Sequence, residues 1–284
     1  MRALEAVVLA RLAGLVGLGI TGGLAACGAT ALPMDAQPVT AAVITPVVAG
    51  HELGLFPGES MTFEVKLAGV LVGEAELAVG ELGVVDGREA VVVSSRAATA
   101  GVAAFVKAIS DESTSTIDVA TGHPLAVSTE VHMDGKKVTS QSTFTGTHAK
   151  VSFQRDDGAA HDYEVAFGTA ELFDAHGAMA AMRGWKAPTG TRRTVYVVGG
   201  RRLWRVDMTY GGEASIGTAL GNRRAVVMDG LSYRARRDLT LESDKPTRTF
   251  RVWLSDDGDR VPLRLSATTE LGDIEMTMLE YQRP

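Results

Sequence analysis

Hydrophobic and polar residues alternate along much of the chain, and this period of two is typical of half-buried β-strands. Over residues 61–67, Met, Phe, Val and Leu stand at every second position, with Thr, Glu and Lys between them. A similar alternation covers residues 74–79. Further stretches of this kind occupy residues 127–133, 149–153, 163–167, 194–198, 204–210, 250–254, 261–265 and 274–278. The pattern predicts a protein built mainly from short strands.

Pairs of turn-forming residues separate these stretches. Asp-Gly pairs stand at 134–135, 157–158 and 257–258, and they suit the positive φ angles of tight hairpin turns. Gly-Gly pairs at 199–200 and 211–212 predict two more turns. Short strands joined by tight turns favour a mainly β fold, in which an antiparallel curved sheet forms a sandwich or a partly closed barrel. Parallel α/β folds are disfavoured.

The sequence also predicts one or two short helices. Asp174 is a suitable N-cap for a helix that runs through Met182, and a weaker helical pattern covers residues 102–109. Met179 and Met182 share one face of the first helix with Ala178. If this helix covers an open end of the curved sheet, both methionines face inward, as part of a lipid-binding groove or of its lid. Their flexible thioethers suit an adaptable apolar surface.

The N-terminus has the pattern of a bacterial signal peptide. Arg2 and Arg11 precede an uncharged apolar run over residues 12–26, which is too short to span a bilayer comfortably. We therefore expect residues 1–26 to be a signal peptide that is removed on export.

The end of this run, Leu24-Ala25-Ala26-Cys27, resembles the lipobox of bacterial lipoproteins. The resemblance implies cleavage before Cys27, lipid attachment to its thiol, and anchoring of the protein in a membrane. Gly28 is not the Asp that typically retains such proteins in the inner membrane. By this resemblance the protein is expected in the outer membrane, facing the periplasm.

The rest of the chain is expected to form a tether and one domain. Residues 27–51 are rich in Ala, Thr, Val and Pro, which predicts a flexible tether. Residues 52–284 are expected to form a single β-rich domain, since no Pro-, Gly- or Ser-rich linker interrupts them. With 284 residues, of which 45% are hydrophobic, the chain can bury a sizeable core. Cys27 is the only cysteine, so packing rather than disulfides must hold the fold.

The distribution of charge limits the partners. A formal net charge of -6 argues against nucleic-acid binding. Lys and Arg are nevertheless in surplus over residues 183–251, with Arg pairs at 192–193, 201–202, 223–224 and 236–237. A basic face made by these arginines would suit anionic lipid head groups, lipopolysaccharide phosphates or an acidic partner. The interpretation we favour is that they pair across strands with acidic residues of the first half.

The sequence contains no recognised catalytic, metal-binding or cofactor-binding motif. Ser215 lies in a Gly- and Ser-containing segment, but its spacing differs from that of a Gly-x-Ser-x-Gly nucleophile elbow. The six His residues are scattered, and a metal site would need hairpins to bring His132, His148 and His161 together. The Asp-rich segment 256–259 lacks the ligand spacing of an EF-hand loop. We expect no catalytic residue, no metal and no cofactor.

Several turns and strand starts resemble the bacterial family catalogued as domain of unknown function number 3108. The resembling segments are residues 56–60, 69–75, 174–183, 253–257 and 260–262. The likeness covers about residues 52–282. It implies an envelope β protein with a short helix and a closing hairpin, and it transfers no catalytic residue.

Three classes of function agree with these features. The first is a non-catalytic carrier or binding module that encloses a lipid or another amphiphile in an apolar groove, as the Lol-type lipoprotein carriers do. The second is a structural or assembly factor that docks another envelope protein, and the third is a hydrolase. A continuous interior groove would favour the carrier, and an exposed apolar patch would favour docking. Histidines or carboxylates with perturbed pKa values in a cleft would favour the enzyme.

Overall fold

The computed structural model describes residues 53–269 and 272–283. The predicted signal peptide, the lipobox, Cys27 and the predicted tether lie outside the described residues. The described helices are α1 (Gly101–Val106) and α2 (Ala175–Gly184). The described strands are β1 (Ser60–Leu67), β2 (Val70–Val85), β3 (Arg88–Thr99), β4 (Ile109–Asp118), β5 (Pro124–Met133), β6 (Lys136–Thr145), β7 (His148–Arg155), β8 (His161–Ala166), β9 (Leu172–Phe173), β10 (Arg192–Gly199), β11 (Arg202–Thr218), β12 (Gly221–Ala235), β13 (Arg248–Ser255), β14 (Pro262–Thr269) and β15 (Gly272–Gln282).

All fifteen of these strands belong to one sheet, in the order β8-β7-β6-β5-β4-β3-β2-β1-β15-β14-β13-β12-β11-β10-β9. Neighbours run antiparallel except β9 and β10, which run parallel. The first and last strands meet in the middle of the sheet, where β1 pairs with β15. The two edges, β8 and β9, are not hydrogen-bonded to each other as strands. The predicted mainly β fold with an antiparallel curved sheet is confirmed, and the sheet is not closed.

The two ends of the sheet overlap. Successive residues of β11 point to opposite faces, so Trp204 packs in the interior with α2 while Leu203 faces outward. Leu203 and Ala235, on the outer face of β11 and β12, pack against Val151 and Val165 of β7 and β8. The sheet is therefore a spiral in which β7 and β8 cover the outside of β10–β12. We call this overlap the seam, and side-chain packing rather than a strand ladder holds it together.

Helix α2 lies inside the spiral. Its residues are small or apolar nearly all round, which suits a helix that is buried on every side. Asp174 caps it as predicted, because the carboxylate accepts hydrogen bonds from the backbone N–H groups of His176 and Gly177. Met179 and Met182 are both buried. The connection from β9 to β10 thus places a short helix in the centre of the molecule.

The turn predictions hold in part. Asp134 and Gly135 form the turn between β5 and β6 with positive φ angles, as expected for an Asp-Gly hairpin. The turn predicted at 211–212 is wrong, since β11 continues to Thr218 through a bulge after Tyr210. Gly211 is required there by close packing: a Cβ atom would lie 2.5 Å from the carbonyl oxygen of Val227.

The weaker helical pattern at 102–109 corresponds to α1, a helix of six residues that connects β3 to β4. It has no buried residue and packs beside β2. Among the described residues, neither helix has the length and apolar character needed to cross a membrane.

Candidate functional site

The strand register separates two ends of the spiral. Thr99 pairs with Gly73 and Ile109 pairs with Met133, so α1, the β1–β2 turn and the β5–β6 turn lie at one end, which we call the α1 end. The β10–β11 turn lies at the same end, because the antiparallel registers from β1 through β15 to β10 place it on the side of Leu67. The C-terminal part of α2 lies towards the opposite end, beside Gly54 and the start of β1.

A cavity of about 70 Å³ lies between α2 and the sheet, and its surface is mainly apolar. Apolar residues from β1, β13–β15 and α2 form one wall: Phe63, Val252, Leu265, Met276, Met179 and Met182. Residues from β3–β6 form a more polar wall: Ser95, Asp111, Ser113, Thr129 and Ser142. Pockets for small molecules usually enclose about 300–1,000 Å³. In this form the cavity can admit only part of a ligand.

Both methionines predicted for a groove or lid line this cavity. Met179 is 5% exposed and Met182 is 3% exposed. Both residues belong to the apolar wall of the cavity. Their role in a ligand groove or its lid stays a prediction.

The polar end of the cavity contains a hydrogen-bonded cluster of Ser95, Ser115, Asp174 and His176. Ser115 Oγ lies 2.5 Å from Asp174 Oδ2 and 2.6 Å from His176 Nδ1. His176 Nε2 lies 2.8 Å from Ser95 Oγ. His176 is fully buried, and Ser115 and Asp174 are buried beside it. The cluster joins the N-terminus of α2 to strands β3 and β4.

Burial lowers the pKa of His176, and the nearby Asp174 carboxylate opposes that shift only in part. The imidazole is therefore neutral at neutral pH, with one N–H donor and one acceptor. Ser115 donates its single proton to Asp174, so its oxygen must accept from the Nδ1–H of His176. This leaves Nε2 as the acceptor for the Ser95 hydroxyl. A chain of hydrogen bonds thus runs from the Asp174 carboxylate through Ser115 and His176 to Ser95 on the cavity wall.

A second polar network fixes the other end of α2. Arg183 Nη1 and Nη2 donate to Glu59 Oε1 and Oε2 at 2.6 and 3.0 Å, and both side chains are fully buried. Arg183 also donates to the carbonyl oxygen of Asp259, and Tyr281 Oη donates to Glu59. Phe56 N–H donates to Glu59 as well. With the Asp174 cluster, this network holds α2 at both ends.

Sequence motifs do not single out Ser95, Ser115 or His176. These residues come from three separate elements, and only the fold brings them together. The one available signal is that Ser113 and Ser115 share a face of β4 at a spacing of two. A polar inner face of this kind indicates buried partners, but it does not identify them.

An apolar patch is exposed at the α1 end. It consists of Val70 and Leu71 at the start of β2 and of Val102, Phe105 and Val106 on α1. Phe105 is 93% exposed. The backbone N–H of Ala100 bonds to the carbonyl oxygen of Val72, which holds α1 beside β2. We call these five residues the α1 patch.

The arginines of residues 183–251 follow the favoured interpretation only in part, because Arg183 pairs with Glu59 of the first half while three others pair nearer in sequence. Arg205 forms a salt bridge with Asp207, and Arg251 forms one with Asp229. Arg224 forms salt bridges with both Glu213 and Asp256. The partners of these three arginines therefore come from neighbouring positions in or directly after β11–β13 and not from the acidic first half.

The three histidines considered for a metal site each contact a different residue. His132 contacts Glu130, His148 contacts Thr147, and His161 stacks on Phe153. Within residues 53–269 and 272–283, no group of three or more His, Cys, Asp or Glu side chains has an arrangement that could hold a metal ion.

Comparison with known proteins shows the family. A family model described as "Protein of unknown function (DUF3108)" matches residues 62–279, which is most of the chain. The chain belongs to this DUF3108 family. None of the curated proteins matches the sequence.

One solved structure has a TM-score above 0.5 with this DUF3108 protein, and a second is less similar. A beta-barrel-like protein of domain of unknown function DUF1849 from Brucella abortus has a TM-score of 0.53 at 10% identity, and the match covers 80% of this chain and 98% of that one. The hypothetical lipoprotein YmcC from Escherichia coli has a TM-score of 0.30 at 11% identity, with 84% and 90% covered. The first match supports a β-barrel-like fold and carries no activity with it.

Proposed function

We propose that this DUF3108 protein is a lipid-anchored protein of the cell envelope whose spiral sheet binds a lipid or another amphiphile, without catalysing a reaction. The observation that carries the proposal is the cavity between α2 and the sheet, which has an apolar wall and a polar wall. An amphiphile needs both kinds of contact. Methionines 179 and 182 supply adaptable apolar contacts next to the hydroxyl groups of β3–β6.

The small cavity must widen to accept a whole chain. Moving α2 would break the buried pair of Arg183 and Glu59, and separating a buried ion pair costs about 3–5 kcal/mol. The seam has no strand ladder, and a hydrogen bond from Tyr163 Oη to the carbonyl oxygen of Gly200 joins its two sides. We propose that the seam opens while α2 stays in place as a fixed floor. Opening there separates packed side chains without breaking a strand ladder.

The predicted lipid anchor supports an envelope location. Lipidation of Cys27 and outer-membrane residence are parts of the proposal that follow from the lipobox and from Gly28. The predicted tether of residues 27–51 can extend to roughly 80 Å at about 3.3 Å per residue. This reach exceeds the length of the longest described strand, β11, which has 17 residues. The tethered domain can therefore turn either end towards the bilayer.

The α1 patch supports contact with the bilayer itself. Five exposed apolar side chains at one end, on a protein tethered to a membrane, suit the boundary between head groups and acyl chains. We propose that this patch rests on the lipid surface. A lipid ligand can then pass between the bilayer and the α1 end of the spiral without crossing water.

A fluorescent fatty acid tests the binding proposal. Val127 lines the cavity, whereas Val92 lies on the outer face and is 42% exposed. Val127→Phe should fill the cavity and weaken binding, because added volume in a packed interior excludes a ligand. Val92→Phe adds the same volume outside and should leave binding unchanged. Absence of binding by the unaltered protein, or equal binding by both variants, would contradict the proposal.

A hydrolase is the second candidate, and the 2.8 Å contact between His176 Nε2 and Ser95 Oγ favours it. A neutral imidazole that accepts from a serine hydroxyl is the arrangement of a base beside a nucleophile. However, Ser95 lies within a central strand whose backbone pairs with β2 and β4, so its N–H is committed to the sheet. An oxyanion needs free donors. Labelling by a fluorophosphonate that is lost in Ser95→Ala, but retained in Ser113→Ala, would establish the enzyme.

A further inference from the structure

A basic pocket lies beside the seam at the α1 end. It has a volume of about 550 Å³ and opens to solvent. Four arginines contribute to its lining: Arg201, Arg202, Arg236 and Arg237. Tyr163 of β8 forms part of the wall, and the guanidinium of Arg237 lies 4.6 Å from the centre of its ring. Both sides of the seam therefore contribute to the pocket.

Two of these arginines have no acidic partner among the described residues. Arg202 and Arg237 form no salt bridge with any residue of the described chain, in contrast to Arg205, Arg224 and Arg251. Burial lowers the pKa of Arg201, and the nearby charges of Arg202, Arg155 and Arg234 lower it further. Positive charge is therefore concentrated in this pocket.

Two acidic residues also line the pocket, and two carboxylates can offset the four arginines only in part. Asp238 accepts hydrogen bonds from the hydroxyl and the backbone N–H of Thr240, which hold the carboxylate in its own loop. Glu242 follows on the same loop, where its backbone N–H bonds to the carbonyl oxygen of Arg234. Four guanidinium groups therefore face two carboxylates.

The basic pocket and the interior cavity meet at the same turn. Gly199 and Gly200 line the cavity, and Arg201 and Arg202 directly after them line the basic pocket. A ligand that lies across the β10–β11 turn can place a charged group among the arginines and a chain in the cavity. Opening of the seam would join the two spaces further.

We propose that the basic pocket binds the anionic head group, a phosphate or a carboxylate, of an amphiphile whose chain occupies the cavity. Arginine suits this role because its planar group forms paired hydrogen bonds with phosphate and carboxylate oxygens. This inference rests on the proposed function and narrows it to anionic amphiphiles.

Calorimetric titration tests the inference on the mature chain, residues 27–284, carrying Cys27→Ser, so that neither an attached lipid nor the signal peptide competes. The probes are dodecyl phosphate below its micelle concentration, dodecyl maltoside and inorganic phosphate. The double variant Arg202→Gln with Arg237→Gln removes charge from the pocket. The control, Arg192→Gln with Arg223→Gln, removes the same charge from exposed positions at the other end.

Dodecyl phosphate should bind more tightly than either other probe. The pocket variant should weaken it about tenfold or more, while the control variant changes it little. Equal affinity for dodecyl phosphate and dodecyl maltoside, unchanged in the pocket variant, would overturn the anionic preference and leave amphiphile binding intact. Equal affinity for dodecyl phosphate and inorganic phosphate would overturn the inference, because the chain would contribute nothing. Failure of both dodecyl probes to bind would overturn the proposed function together with the inference.

Discussion

Arg183 and Glu59 form a buried two-point ion pair that joins the last turn of α2 to the start of β1. Neither side chain is exposed to solvent. Further donors to Glu59 come from Phe56 N–H and Tyr281 Oη, so the carboxylate is well satisfied. A buried pair of this kind contributes less to net stability than to the choice of one arrangement. Here it fixes the position of the central helix.

The first prediction concerns this pair. Arg183→Met should lower the free energy of unfolding by about 3–5 kcal/mol, because it leaves the buried Glu59 carboxylate without its cation. The double variant Glu59→Met with Arg183→Met should regain much of that loss. Urea unfolding followed by circular dichroism gives both values. If the single variant were as stable as the unaltered protein, the pair would not be holding α2.

The second prediction concerns the pH dependence of stability. The folded-state pKa of His176 lies below the ordinary value of 6.5, so the unfolded chain binds a proton more readily. Stability is therefore fully present above pH 6.5 and falls as the pH drops below this value. Removing the imidazole in His176→Asn should make the decline in melting temperature between about pH 7.5 and about pH 5 shallower. Parallel declines in the two proteins would show that His176 does not contribute.

The extent to which the sequence predicts this fold depends on which residues face inward. In β1, Met61, Phe63 and Val65 point into the core, so alternation reveals the strand directly. In β4, the inward positions include Asp111, Ser113 and Ser115, and hydrophobic alternation is lost. Ser115 can be buried because the fold supplies Asp174 and His176 as partners, and these residues are distant from it in sequence.

In the site, too, features that depend on neighbouring residues can be predicted from the sequence, whereas contacts between residues distant in sequence cannot. Asp174 is predictable as a helix cap, because capping depends on a few consecutive residues. Its hydrogen bond with Ser115 joins β4 to α2, and no local pattern records that contact. Similarly, the Gly-Gly pair at 211–212 suggests a turn by composition. The structure uses Gly211 for close packing against β12 instead.

The third prediction concerns the apolar wall of the cavity. Replacing Met179 and Met182 together with Asp should destabilise the fold by several kcal/mol, on the order of 2–7 kcal/mol for each buried group that lacks a partner. Replacing both with Ala should cost less and should weaken binding of a fluorescent fatty acid. Thermal unfolding and fluorescence titration measure the two effects. An unchanged melting temperature for the Asp pair would mean that the helix face is not buried in solution.

The fourth prediction concerns the anchor. Cys27→Ser should release the protein from the membrane fraction and prevent lipid attachment, because this residue alone combines a thiol with a lipobox. Fractionation of cells and mass spectrometry of the mature N-terminus provide the measurement. Ala31→Ser, a small change in the predicted tether, serves as the control and should leave the protein in the membrane. Normal processing of the Cys27 variant would refute the lipoprotein assignment.

The last prediction concerns the α1 patch and its contact with lipid. Full burial of a side chain such as Phe is worth about 1.5–3 kcal/mol, so one residue can account for much of a weak association with a bilayer. In the mature chain, residues 27–284, carrying Cys27→Ser so that neither lipid nor signal peptide contributes, Phe105→Glu should reduce flotation with phospholipid vesicles. Val84→Glu makes the same change at an exposed position at the other end of β2, where Val84 pairs with Glu89, and it should have little effect. Because both variants add one negative charge, a difference between them reports the position and not the net charge. Equal flotation of the two variants would exclude the patch as a lipid contact. A photo-crosslinker at residue 105 that captured an envelope protein instead of lipid would favour docking of another protein at the same surface.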